Sequence, residues 1–376
     1  MLTITPRVET RSGPLAEPRW SGGIPALART SEFCLTLKPE SGEKLEDMFQ
    51  RLAAALGGAT ILQILAFGSV SASAVTLDAM RKQFGLIDWP VTWMEGADCN
   101  AEPIAGLEIY GIADAEVQRI RIDGRVVGSV YSDGSARHCM VGDLGSRTRA
   151  FSRGGQTKQT IEELEDALAL AGFSLADTVR TWFYLDDILA WYDEFNRART
   201  EIYSRIKFRT GSLPASTGIG ARNSAGTALA LAAWAVQPLD NVARAEEVGS
   251  PLQCPAPAYG SSFSRAMEIS SSAGRRLLIS GTASIAPGGA TSWKDDPRRQ
   301  VELTMEVVAA ILQSRNFSFS DISRATAYFR RRADAWAFTE WCAKNGHTSM
   351  PVVVVHCDVC RDDLLFELEA DASQGH

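Results

Sequence analysis

A carboxylate stands inside the apolar stretch LLFELEA (364–370) near the end of the chain. Side chains of a strand alternate between two faces. Leu364, Phe366, Leu368 and Ala370 therefore share one face, and Leu365, Glu367 and Glu369 the other. A buried carboxylate is costly unless it is paired or keeps its proton. Glu367 is thus either an exposed strand residue paired to a surface cation or an acid whose pKa burial has raised. The second is what general-acid chemistry near neutral pH needs. Three arginines in polar, glycine-bearing loops could hold an anion: Arg222 in GIGARN, and Arg147 and Arg149 in GSRTRAF. Surface solvation is the alternative for each. Glycines beside Arg222 would let backbone N–H groups approach such a ligand.

Seven cysteines are scattered along the chain. Their odd number and the chain length speak against a disulfide framework. HCDVC (His356 to Cys360) holds one C-x-x-C pair with no second pair, whereas a structural zinc site needs four ligands. His138, His347 and His376 are dispersed. No G-x-G-x-x-G turn, phosphate loop or G-x-S-x-G elbow occurs, so no cofactor is expected.

The elements that must position these residues repeat. GFSLADTVRTWFYLDD (172–187) matches NFSFSDISRATAYFRR (316–331) at an offset of 144, sharing Phe173/Phe317, Ser174/Ser318, Asp177/Asp321, Arg180/Arg324 and Tyr184/Tyr328. Upstream, Gln156/Gln300 and Thr160/Thr304 keep that offset in helix-period segments, whose apolar stripes are Ile161, Leu164, Leu168 and Met305, Val308, Leu312. Each copy continues with a second helix, a proline-led strand and a final strand, and is preceded by a hairpin pattern. The unit reads ββαβαββ. A weaker third copy leads the chain, in which Pro90 precedes Glu108 by 18 residues where Pro351 precedes Glu367 by 16. This spacing makes Glu108 the counterpart of Glu367. The expected fold class is α+β: three tandem units, 1–115, 116–245 and 260–376, forming a pseudo-threefold body. Residues 1–40 read as an extension and 250–260 as a linker.

The 376 residues are 45% hydrophobic and 22% charged, with net charge −7. There is no basic run, so nucleic acid is not an expected partner. No stretch approaches a membrane span, and the amino terminus lacks the apolar core of a signal peptide. A cytoplasmic protein, monomeric or a small homo-oligomer, is the default.

The repeat unit resembles the YjgF/Rid superfamily, a chorismate-mutase-like trimeric fold whose ligand sites lie in clefts between subunits. GGQTKQTIEELEDALALAGFSLADTVRTWFYLDD, LPASTGIGARN, LISGTASI and CRDDLLFELEA more narrowly resemble the chorismatase family. That resemblance implies an enzyme that releases pyruvate from chorismate. The ring product would be 3-hydroxybenzoate, a mixture with 4-hydroxybenzoate, or 3,4-dihydroxycyclohexadiene carboxylate. It assigns the general acid to Glu367. Small residues in SGTASI (Gly281, Ala283) and the residue seven before the acid, Cys360, are positions that the resemblance links to product type, and a cysteine there points to 3-hydroxybenzoate. Rid imine deaminases carry an arginine after the strand-leading proline. Here those positions read PAS (214–216) and PVV (351–353), which leaves Ser216 and Thr217 as candidate hydroxyl donors and argues against an imine deaminase. The remaining alternative is a non-catalytic small-molecule binder of fused Rid-like units.

Overall fold

The computed structural model describes residues 2–4, 31–98 and 103–375; Cys99, His376 and most of the amino-terminal extension lie outside them. The chain builds three sheets in sequence order. The first holds β1 (Leu2–Ile4), β2 (Ser31–Leu37), β3 (Thr60–Gly68), β4 (Val91–Glu95) and β6 (Ile104–Ala113), with helices α1 (Leu45–Leu56) and α2 (Ser73–Phe84). The second holds β7 (Gln118–Ile122), β8 (Arg125–Ser132), β9 (Ala136–Gly145), β10 (Thr178–Leu185), β11 (Ala215–Gly220) and β12 (Leu229–Pro238), with α3 (Arg153–Leu170) and α4 (Ile188–Tyr203). The third holds β13 (Arg244–Val248), β14 (Ala266–Ser271), β15 (Gly274–Ala283), β16 (Ile322–Phe329), β17 (Val352–His356) and β18 (Phe366–Gln374), with α5 (Pro297–Ser314) and α6 (Trp336–Asn345). Short β5 (Ala97–Asp98) leaves the first sheet and pairs with β17 of the third.

The strand orders are β1-β2-β6-β3-β4, β11-β10-β12-β9-β8-β7 and β13-β14-β15-β18-β16-β17-β5. The second and third sheets each add one edge strand, β7 and β13, to the ββαβαββ unit. Residues 31–37, read as extension from the sequence, instead form β2 and pair with β6. Among the described residues no helix is long and apolar enough to cross a membrane.

The repeated residues have structural work. Gln156 and Gln300 each accept, through Oε1, a backbone N–H at the start of their unit's last strand: Ala228 and Leu365, both at 2.8 Å. Ser174–Asp177 and Ser318–Asp321 form matching capping boxes ahead of β10 and β16. Period-two alternation then sorts each strand. In β12, Leu229, Leu231, Ala233 and Ala235 pack under the helices, while Ala230, Ala232, Trp234 and Val236 join the central core. That core draws on all three sheets. Phe67, Tyr184 and Tyr328 occupy equivalent places on β3, β10 and β16, and Phe67 meets both tyrosines edge-on at 6.2 and 6.1 Å. The body is a pseudo-trimer of three related α+β units in one chain.

Register corrects one sequence equivalence. Opposite Phe67, Tyr184 and Tyr328 stand Gly106, Ala230 and Glu367; two residues along stand Glu108, Ala232 and Glu369. Glu108 is therefore the counterpart of Glu369. Proline-to-acid spacing agrees, since Pro351 also precedes Glu369 by 18 residues. Only the third unit places an acid at the position of Glu367.

Candidate active site

Glu367 points into a small cavity of about 40 Å³ between the second and third units. β11 and α4 supply one wall and β15 and β18 the other, and the segment before β14 roofs it through Tyr259 and Phe263. Tyr192, Tyr259, Cys360 and Arg361 also line a wider outer cleft, which is the mouth.

Glu367 is 5% exposed. On β18 its neighbours Phe366 and Leu368 pack under the helices, so alternation turns Glu367 inward between Ala283 of β15 and Tyr328 of β16. Burial pushes its carboxyl up to about 8; the nearby Glu369 acts the same way, and Arg180 and Arg265 oppose them. The carboxyl fits because residue 281 is glycine: a Cβ there would lie 2.0 Å from Oε1 of Glu367. Burial thus favours the protonated form of Glu367, which faces the cavity.

Two buried arginines face the same space. Arg199 comes from α4, where Trp191, Phe195, Arg199 and Tyr203 recur every four residues along one buried stripe. Its guanidinium lies 4.8 Å from the Phe195 ring centroid and donates to Asn196 Oδ1 (2.7 Å) and weakly to Ser216 Oγ (3.4 Å). Its Nε has no partner. Arg265, just before β14, donates twice to the Cys254 carbonyl at 2.9 and 3.1 Å and stacks by Tyr259 and Phe263. Among the described residues, neither has a carboxylate within ion-pair distance, whereas buried Arg180, Arg276 and Arg324 all do. Burying a charge without a counter-ion costs several kcal/mol. A cavity with two such cations is built for an anion. Arg361, at the mouth, donates to the Gly289 carbonyl at 2.7 Å and faces the Tyr259 ring.

The structure brings Ser216, Gly281, Ala283 and Cys360 together around Glu367. Ser216 accepts from Thr181 and Arg199. Burial, chiefly, pushes the Cys360 thiol up to about 12, and Tyr192 hydrogen-bonds it, so it is a neutral wall. Thr217 lies behind the cavity, its hydroxyl committed to Glu369, Arg180 and the Gly281 backbone. Arg222 is displaced: it follows the end of β11, is largely exposed, and pairs with Glu95 at 3.4 Å in another cleft. Arg147 is an exposed partner of Asp166, and Arg149 lies against Gly226. In their place stand Arg199, Arg265 and Arg361. An arginine inside the apolar stripe of α4 was the available signal for the first; no periodicity marks the others.

The two cysteines of HCDVC part company, Cys357 in the central core and Cys360 at the cavity. Among the described residues one trio, Glu32, Asp133 and His138, gathers metal-type ligand atoms within 4.8 Å. Both ring nitrogens of His138 are engaged, Nε2 by Asp133 at 3.1 Å and Nδ1 by the Trp234 indole N–H at 3.3 Å. Glu32 faces Arg276 at 2.8 Å. This is a closed ion-pair cluster.

No family model matches the chain. A solved chorismatase structure superposes on 92% of this chain and 100% of its own, with a TM-score of 0.66 at 20% identity. Among curated proteins, a 3-hydroxybenzoate synthase of Streptomyces hygroscopicus is 28% identical over 227 residues, covering 53% of this chain and 64% of the relative. A chorismatase of Streptomyces rapamycinicus is 29% identical over 211 residues, covering 50% and 62%. The chain is thus similar in fold to a chorismatase and, over about half its length, similar in sequence to these relatives. Both comparisons bear out the resemblance read from LISGTASI and CRDDLLFELEA. The chain spans less than two thirds of the length of these curated relatives.

Proposed function

We propose that the protein converts chorismate, releasing pyruvate, with Glu367 as the general acid. The observation that carries this reading is the pairing, in a single cavity, of one buried carboxyl with two buried arginines that have no counter-ion among the described residues. Chorismate is a small dianion with an enolpyruvyl ether. Arg199 and Arg265 supply charge-assisted hydrogen bonds for its two carboxylates, and Arg361 gates the mouth. The aromatic and small side chains hold the ring, with Ala283 and Cys360 leaving room beside the acid.

Pyruvate release begins with proton transfer from Glu367 to the terminal methylene of the enol ether, which becomes an oxocarbenium ion. The carboxylate left on Glu367 stabilises that cation, and Arg180 and Arg265 stabilise the carboxylate. For 3-hydroxybenzoate, the neighbouring ring hydroxyl attacks the ring carbon that bears the ether oxygen as that C–O bond breaks and pyruvate leaves as the ketone. The hydroxyl proton returns to Glu367, and the ring then aromatises by losing its C–H proton while the retained oxygen gains one, so no water is consumed. The neutral thiol of Cys360 and the name of the first relative favour this product. Water attack instead would give the dihydrodiol.

The test is incubation of purified protein with chorismate, following pyruvate by a coupled assay and the ring product by chromatography. Pyruvate with 3-hydroxybenzoate is expected. Pyruvate with the dihydrodiol would keep the acid and overturn the product. Absence of pyruvate would favour a binding protein.

A further inference from the structure

Glu369 follows Glu367 by two residues on the same face of β18 and is fully buried. Its two oxygens take four donors. Oε2 accepts from Arg180 Nη2 at 2.6 Å and from the Thr217 hydroxyl; Oε1 accepts from Arg324 Nη1 at 2.9 Å and the Tyr328 hydroxyl at 3.1 Å. Two of these four donors are arginine guanidinium groups, themselves fully buried. Thr217 belongs to the second unit. Having given its only hydroxyl proton to Glu369, it accepts from Arg180 at 2.8 Å and from the Gly281 N–H at 3.1 Å. Gly281 is the residue against which the Glu367 carboxyl lies.

We propose that Glu369 and Thr217 are positioning residues for Glu367: Glu369, locked between two arginines, is a fixed carboxylate two residues along the same strand face, and Thr217 pins the Gly281 wall while withholding its own proton from Glu367. The functional meaning rests on Glu367 being the acid of the proposed reaction; the electrostatic content does not. The groups facing Glu367 come from every surrounding element: Glu369 on β18, Tyr328 on β16, Arg180 on β10, Arg265 before β14, Arg199 and Tyr192 on α4, and Cys360 and Arg361 in the turn before β18. After burial, Glu369 is the largest influence holding the proton on Glu367, and Arg180 the largest opposing it. The other two units lack the arrangement, with Gly106 and Ala230 at the position of the acid.

The proton on Glu367 can be followed without substrate, by the infrared carboxylic-acid band that disappears in Glu367→Gln. In the charge-balanced variant Glu369→Gln/Arg180→Met the pH midpoint of that band should fall, because the influence removed with Glu369 exceeds the opposing one removed with Arg180. Thr217→Val, which keeps every buried charge and gives a second reading if the double variant does not fold, should lower kcat about tenfold or more. Its KM should stay within about twofold, as displacement of the acid rather than loss of binding predicts, and Thr217→Ser should restore kcat. An unmoved midpoint in the double variant, or a Thr217→Val kcat equal to that of the native protein, overturns the proposal. A falling midpoint in a protein that does not turn over chorismate would uphold the role of Glu369 and reject the assigned reaction.

Discussion

Replacing Glu367 by glutamine should stabilise the protein at alkaline pH and flatten the pH dependence of its stability. A glutamate ordinarily titrates near 4.5, and burial holds Glu367 at about 8. Between those values the unfolded chain has lost this proton while the folded one keeps it. Unfolding then releases a proton, and stability falls as pH rises. The contribution is fully present below 4.5 and is lost as pH climbs through about 8. Each pH unit is worth about 1.4 kcal/mol, so the native protein loses roughly 3–4 kcal/mol from this group between about pH 5 and pH 8. Glutamine fills the same space without a charge to bury. Glu108, also raised to about 8 by burial, acts equally in both proteins and cancels. Urea unfolding of native and Glu367→Gln protein at several pH values measures the effect. The difference should widen in favour of the variant with rising pH. A pH-independent difference would refute the buried, protonated acid.

Further outcomes follow from the cavity walls. Gly281→Ala places a methyl 2.0 Å from a carboxyl oxygen of Glu367, and a displacement of about 1 Å should cost about a hundredfold in kcat, read by pyruvate release with the melting temperature as control. Arg265→Met and Arg199→Met each remove a buried cation that the proposed reaction pairs with a substrate carboxylate, so KM should rise about ten- to a hundredfold in each. Arg222→Ala should leave turnover within about twofold, because its exposed pair with Glu95 lies outside the cavity.

The repeat was legible because its residues are structural: Gln156 and Gln300 hold strand ends, and Ser–Asp capping boxes open each central strand. Period-two alternation sufficed to turn Glu367 away from the helices. Glu108 was set against Glu367 by matching a spacing of 18 residues to one of 16; the equal spacing of 18 to Glu369 is the better match, and strand pairing decides it. The arginines were harder. A glycine-flanked loop looks like an anion site, but Arg222 sits past the strand end and turns to a different cleft. Arg199 reaches the cavity through the apolar stripe of α4, and Arg265 through a segment whose course depends on tertiary packing. Ser216 and Thr217 are adjacent on one strand, so alternation alone sends one to the cavity and the other to the charge network behind it.

The most direct test of the account compares chorismate turnover by the native protein and Glu367→Gln under identical conditions, with chorismate affinity measured alongside. The account predicts pyruvate release by the native protein, a fall of about a thousandfold or more in the variant, and affinity nearly unchanged, since the arginines and not the acid hold the substrate. Near-native pyruvate release by Glu367→Gln would contradict it.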